Sequence, residues 1–185
     1  MFELRDKAPG ANSTPKVEMV TTSVALTKKR LYLFPLRVPF NCKFSQYDWD
    51  FALTVAVGTT ISYKAALFRR NGKLSDAVSS VQQVNTAVSV TGQATAFQTT
   101  AVGTTINLLP GDYFIGFIFD VVGAGAATLT AKNCHAVSTW VTGDYCYEDQ
   151  GSFALPASTG ALSYIHAASQ NPFWCAVTYI GDVIP

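Results

Sequence analysis

The sequence predicts an all-β domain, an antiparallel sandwich or barrel, and three observations lead there. Helical periodicity is nearly absent. Short runs rich in β-branched and aromatic residues recur between Gly, Pro, Asn and Asp punctuation, the spacing of strands joined by turns. The 185 residues are 49% hydrophobic and only 14% charged, which excludes a disordered tail and a coiled coil. A chain of this length makes one domain and buries a core without disulfides or metals.

The elements follow in order. Residues 1–20 contain Pro9-Gly10, Asn12, Ser13, Thr14 and Pro15 without periodicity, so they read as an extended N-terminal arm that a neighbour must order. Strands are predicted over 20–26, 30–38, 42–57, 61–70, 76–90, 93–107, 111–120, 128–140 and 173–180, within a sandwich domain of residues 21–185. Leu31 and Leu33 alternate with Tyr32 and Phe34, and Ile61, Tyr63, Ala65 and Leu67 with Ser62, Lys64, Ala66 and Phe68, so one face goes inward and the other outward. Pro35 and Pro39 push the second strand toward a sheet edge or a bulge. Asn71-Gly72 marks a hairpin and Leu109-Pro110-Gly111-Asp112 a turn. The run Tyr113 to Phe119 is apolar on both faces, as in a central strand covered by the opposing sheet and, on its other side, by a second chain in preference to a loop. Residues 143–172, with Gly143, Gly151, Pro156, Gly160 and Pro172, form a long loop excursion, a frequent seat of function.

Charge sorts the possible partners. Thirteen basic and twelve acidic residues give +1, too little for nucleic acid as the main partner. No stretch reaches the ~18 apolar residues of a membrane span, and the mixed charges of Met1 to Lys7 are unlike a signal peptide, so folding in a cytoplasm is expected. Residues 1–43 balance at +5 and residues 101–185 at −5, which suits head-to-tail contact between copies or docking of the first segment on an acidic surface. So few charges also leave part of the outside to serve as an interface. Cys42, Cys134, Cys146 and Cys175 lack metal or redox spacing and read as buried thiols, a Cys134–Cys146 disulfide being the alternative.

No catalytic residue, cofactor site or metal site is assigned. His135 and His166 lie in no nucleophile context. Cys134, His135, Cys146 and His166 lack zinc spacing. Asp144, Glu148 and Asp149 could flank a glycosidic bond only at the right separation in space. Gly123-Ala-Gly125 lacks the rest of a phosphate cradle. Aromatic binding is the better candidate. Trp140, Tyr145, Tyr147, Tyr164, Phe173 and Trp174 gather near the end beside acidic and amide groups, which suits a carbohydrate platform or a subunit interface.

The order Lys29-Arg-Leu-Tyr-Leu-Phe-Pro-Leu-Arg-Val-Pro39, the hairpin Ala66-Leu-Phe-Arg-Arg-Asn-Gly-Lys-Leu74, then Ile106-Asn-Leu-Leu-Pro-Gly-Asp-Tyr-Phe-Ile-Gly-Phe117 and Leu155-Pro-Ala-Ser-Thr159 resembles jelly-roll domains of tailed-bacteriophage virion proteins. The likeness covers residues 20–185 and carries no catalytic signature. It implies an antiparallel β-sandwich of jelly-roll type in a structural or adhesive protein of head decorations, head fibres or tail fibres, often trimeric. No repetitive shaft or heptad segment is present, which favours a compact capsid decoration or cement protein, a homotrimer located on the virion after assembly in the bacterial host cytoplasm. Its partner would be the major capsid protein or a tail component, held through the arm by Phe2, Leu4, Arg5, Lys7 and Lys16. The alternative is a tail fibre or receptor-binding adhesin whose Trp140, Tyr145, Tyr147, Tyr164 and Trp174 meet host surface carbohydrate.

Overall fold

A computed structural model of the chain describes the backbone of residues 2–3, 19–25, 27–38, 41–54, 60–70, 72–73, 76–91, 95–122, 128–134, 145–165 and 175–180. It describes the side chains of 27–38, 41–46, 60–70, 72–73, 76–84, 104–121 and 146–163. The described residues form strands and no helix. In chain order these are β1 (Phe2–Glu3), β2 (Met19–Ala25), β3 (Arg30–Val38), β4 (Cys42–Thr54), β5 (Thr60–Arg69), β6 (Ser79–Thr91), β7 (Thr95–Leu108), β8 (Gly111–Val122), β9 (Thr128–Cys134), β10 (Tyr145–Asp149), β11 (Ser163–Ile165) and β12 (Cys175–Ile180).

They form two open sheets. The first runs β11-β10-β3-β8-β5-β6 with β1 added beside β3, and the second runs β12-β4-β9-β2 with β7 on β4. Pairing is antiparallel throughout except for β1, which lies parallel to β3 at Leu36 and Arg37.

The register shows how the chain reaches this order. Arg69 lies opposite Ser79, Thr60 opposite Thr91, Ala52 opposite Thr95, Cys42 opposite Leu108, Val38 opposite Gly111 and Tyr32 opposite Phe117. Each step back along residues 69 to 32 is matched by a step forward along 79 to 117, with small bulge shifts. The segments β3-β4-β5 and β6-β7-β8 are therefore the two arms of one long hairpin, whose tip is residues 70–78. Both arms pass from the first sheet to the second and back, and β8 slots between β3 and β5. Gly72 of the Asn71-Gly72 signal thus lies between β5 and β6, Asn71 being outside the described residues, and Leu109-Pro110 is the corner where one arm changes sheets.

β8 sits in the middle of the first sheet, and Tyr113, Phe114, Ile115, Phe117, Ile118 and Phe119 are all buried. Tyr63 packs on Phe117 with ring centroids 5.6 Å apart, and Phe117 stacks on Phe119 at 6.0 Å. The alternate positions join a separate cluster of Leu31, Leu33, Ala66, Phe68, Val78, Phe114, Ile118 and Cys146, which Leu155 and Leu162 complete and Phe153 borders. The second cover of β8 is therefore the chain's own segment 150–162 and not a second chain. For the same reason β3 has no outward face, since Leu31 to Leu36 are buried on both sides.

β3 is also not an edge strand. β10 flanks it along Arg30 to Leu33 and β1 at Leu36 and Arg37. Pro35 falls between these two short neighbours, where no ladder bond is demanded of its missing N–H.

Candidate interaction surface

The described part of the excursion of residues 143–172, residues 145–165, contains two strands and a strap. β10 lines one side of the first sheet. The chain then crosses the outer face of that sheet to β6 and returns to β11, which pairs with β10. Gly151 opens the crossing with φ +65°, a left-handed conformation that glycine adopts without strain. At the far side Ser158 bridges Ser79, Ser80 N donates to Ala157 O (2.8 Å), Thr159 N to Val78 O (2.9 Å) and Gln83 Nε2 to Pro156 O (2.8 Å). Thr159 is buried, and its hydroxyl accepts from Val78 N at 3.0 Å. Midway, Lys64 Nζ donates to Phe153 O (3.0 Å) and lies 4.6 Å from the Phe153 ring centroid, a cation–π contact. The strap thus seals an apolar sheet face and covers the start of β6 on its outer edge, where an unpaired strand would invite another chain.

At the β10 side the chain builds an electrostatic cluster. Arg30 Nε and Nη2 donate to Asp149 Oδ1 and Oδ2 at 2.7 and 3.1 Å, a two-pronged guanidinium–carboxylate pair between residues opposite in register. The hydrogen bond from Arg30 holds the Asp149 carboxyl below its ordinary range, and the same bond raises Arg30. The guanidinium also lies 4.2 Å from the Tyr147 ring centroid. Tyr32, raised by burial, accepts from Thr27 N at 2.7 Å. Glu148 accepts from Gly160 N at 2.8 Å and from Gln150 Nε2, tying β10 to the strap. Of the three carboxylates considered for sugar hydrolysis, Asp149 is the partner of Arg30 and Glu148 an anchor for the strap, while Asp144 lies outside the described residues.

Of the aromatic residues predicted to bind glycan, three lie on the adjacent strands β10 and β11, but the register divides them: Tyr145 and Tyr147 hold alternate positions on one face of β10, while Tyr164, opposite Cys146, holds a position on the other face. Tyr147 is half-buried with one ring face under Arg30, while Trp140 and Trp174 lie outside the described residues. Of the arm residues, Phe2 lies in β1 beside Leu36, and Leu4, Arg5, Lys7 and Lys16 lie outside the described residues. Cys42 and Cys146 are both buried, and the side chain of Cys134 lies outside the described residues. Burial alone pushes the Cys42 thiol up to about 11. Among the described residues no cluster of His, Cys, Asp and Glu could hold a metal, and no helix is long and apolar enough to cross a membrane.

Sequence reasoning passed over Arg30. Its partner Asp149 lies 119 residues away in sequence, and only strand register brings them together. No family model, curated protein or solved structure matches the chain.

Proposed function

We propose that the chain is a non-enzymatic structural protein of a bacteriophage virion, a trimeric capsid decoration or cement protein of jelly-roll type docked through its N-terminal arm. One observation carries the reading. A single long hairpin rolled so that both arms alternate between two sheets is the construction that generates a jelly roll, and it joins the sequence resemblance to such virion domains. The described polar groups around the strap are spent on holding it in place, which suits a rigid building block. Association would be driven by apolar burial at ~25 cal/mol per Å², less the cost of ordering the arm.

The test has two steps. Native mass measurement of the purified chain should give a trimer, and labelled protein should localise to the heads of assembled particles. Deleting residues 1–18 should leave a soluble folded body that no longer joins particles. A monomer with saturable turnover on a small molecule would overturn the proposal, and full occupancy by the truncated form would overturn the role of the arm.

The second reading, a tail fibre or receptor-binding adhesin, draws on Tyr145 and Tyr147, which hold alternate positions on one face of β10. It predicts glycan-array binding that is lost in Tyr145→Ala or Tyr147→Ala and location at the tail end. Silence across a broad array would set it aside.

A further inference from the structure

The two ends of the rolled hairpin treat their cations differently. At the end where β3 begins and β8 finishes, Lys29 lies 3.8 Å from Asp120 and Arg30 is paired with Asp149. With Lys28 and Glu148 this end carries three described cations and three described carboxylates. In the middle, Lys64 is engaged by the strap. The opposite end gathers the close of β3, β5 and β7, the start of β4, β6 and β8, and the hairpin tip. It bears Arg37, Lys43, Arg69, Arg70 and Lys73 against Glu3, Asp76 and Asp112.

Among the described side chains, of these five cations only Arg70 approaches a carboxylate, Asp112 at 3.9 Å. Asp76 receives the backbone N–H of Lys73 at 2.7 Å. Arg37, Lys43, Arg69 and Lys73 are exposed and, among the described residues, make no ion pair. Register places them close together: Arg37 is opposite Asp112, Arg69 opposite Tyr113, and Lys43 opposite Asn107 just before the β7–β8 corner. That corner presents Leu109, 58% exposed and the more exposed of the two large apolar side chains left open among the described residues. Tyr113 Oη holds it in place by donating to Leu109 O at 2.9 Å.

We propose that this end is a docking surface for an acidic face of a partner protein, with Leu109 as its apolar centre and Arg37, Lys43, Arg69 and Lys73 as its cationic rim. An apolar centre inside a charged rim is how protein interfaces divide affinity from steering. The occupant is not the opposite end of a second copy, because that end balances its own charges. Nor is it a nucleic acid, since a phosphate backbone offers nothing apolar to Leu109 and rewards longer cationic tracks than this. The assignment goes beyond the docking by the arm proposed above and does not depend on it.

The probe is a fluorescent Glu-rich peptide with interspersed Leu, titrated against the full chain by anisotropy. The same peptide with Gln for Glu and a single-stranded DNA of equal charge serve as comparators. Preferential binding of the acidic peptide is expected. It should weaken at least about tenfold in the combined Arg37→Glu, Lys43→Glu, Arg69→Glu, Lys73→Glu variant, weaken in Leu109→Ser, and stay unchanged in Lys28→Glu at the far end. All the altered side chains are exposed, so an unchanged melting midpoint checks folding. Three results would each overturn the proposal: equal affinity for the Gln peptide, equal loss in Lys28→Glu, or DNA bound at least as tightly as the acidic peptide. Each would leave the virion reading and its arm deletion test untouched.

Discussion

Gly116 is the residue at which β3, β5 and β8 press together beneath the strap. It lies between Leu33 and Ala66 in register, and a Cβ there would meet Phe68 Cε2 at 2.5 Å and Cδ2 at 3.0 Å. Phe68 is fully buried and has nowhere to retreat. Gly116→Ala should therefore destabilise the protein by ~1–3 kcal/mol, read as a lower urea midpoint, and Phe68→Leu in the same chain should recover part of the loss. Burial makes a second prediction, in alkali. The Cys42 thiol ionises at about 11 in the folded protein against 9.0 when exposed, so its contribution to stability is complete below 9.0 and is lost as pH rises through about 11. Tyr32 and Tyr113 are raised by burial too and act in the same direction. Cys42→Ala should flatten the alkaline limb of the stability profile, while wild-type Cys42 should resist thiol alkylation at pH 8. Asp149 acts at the other extreme. Arg30 lowers its carboxyl, so the pair is intact above the ordinary carboxylate range and is lost as pH falls below it. The group is exposed and screened, so Asp149→Asn should shift the acid limb by less than ~1 kcal/mol.

Among the elements, the strap was the hardest to read in the sequence. Strands β3, β5 and β8 announce themselves through runs of β-branched and aromatic residues, and their predicted limits agree with the structure to within two residues. Between residues 150 and 162 the only large apolar side chains are Phe153, Leu155 and Leu162, spaced at neither a strand nor a helix period. What fixes them is a floor made by residues from four other strands, and that information is tertiary. The same reason hid β10 and β11, which are short and specified by pairing with β3 and with each other. The aromatic cluster was legible as composition, yet the guanidinium over Tyr147 was not. The strap makes its own prediction. Leu155→Ala removes one of its two buried apolar pins and should cost ~2 kcal/mol, at the low end for such truncations because an outer layer can relax. Its more telling effect is local. Amide exchange should accelerate at Ser80 and Thr159, which bond across to Ala157 and Val78, and Cys146 beneath the strap should become open to alkylation. Amides of β8 paired with β5 should keep their protection. If Cys146 stays closed while the whole molecule loses stability, the strap is an inseparable part of the core.

For the molecule as a whole, the rolled hairpin sets an order of assembly. Pairing at the tip joins Arg69 to Ser79, while pairing at the base joins Tyr32 to Phe117, so the chain closed off by each contact lengthens steadily from β5·β6 through β4·β7 to β3·β8. The entropy lost in closing a loop grows with its length, and each pair formed shortens the loop that remains for the next. Zipping from the tip therefore avoids the most costly closures. The slot between β3 and β5 fills last, because β8 cannot be flanked on both sides until each arm has crossed between sheets. Folding dominated by such distant contacts should be slow, in the range of milliseconds to seconds. Val84→Ala, near the tip and opposite Ala65, should slow refolding in proportion to the stability it removes. Leu31→Ala, at the base and opposite Glu148 of the late-joining β10, should leave the refolding rate nearly unchanged and instead accelerate unfolding. The reverse pattern in stopped-flow measurements, with β3 ordered in the transition state and the tip loose, would mean that β8 nucleates against β3 before the hairpin closes.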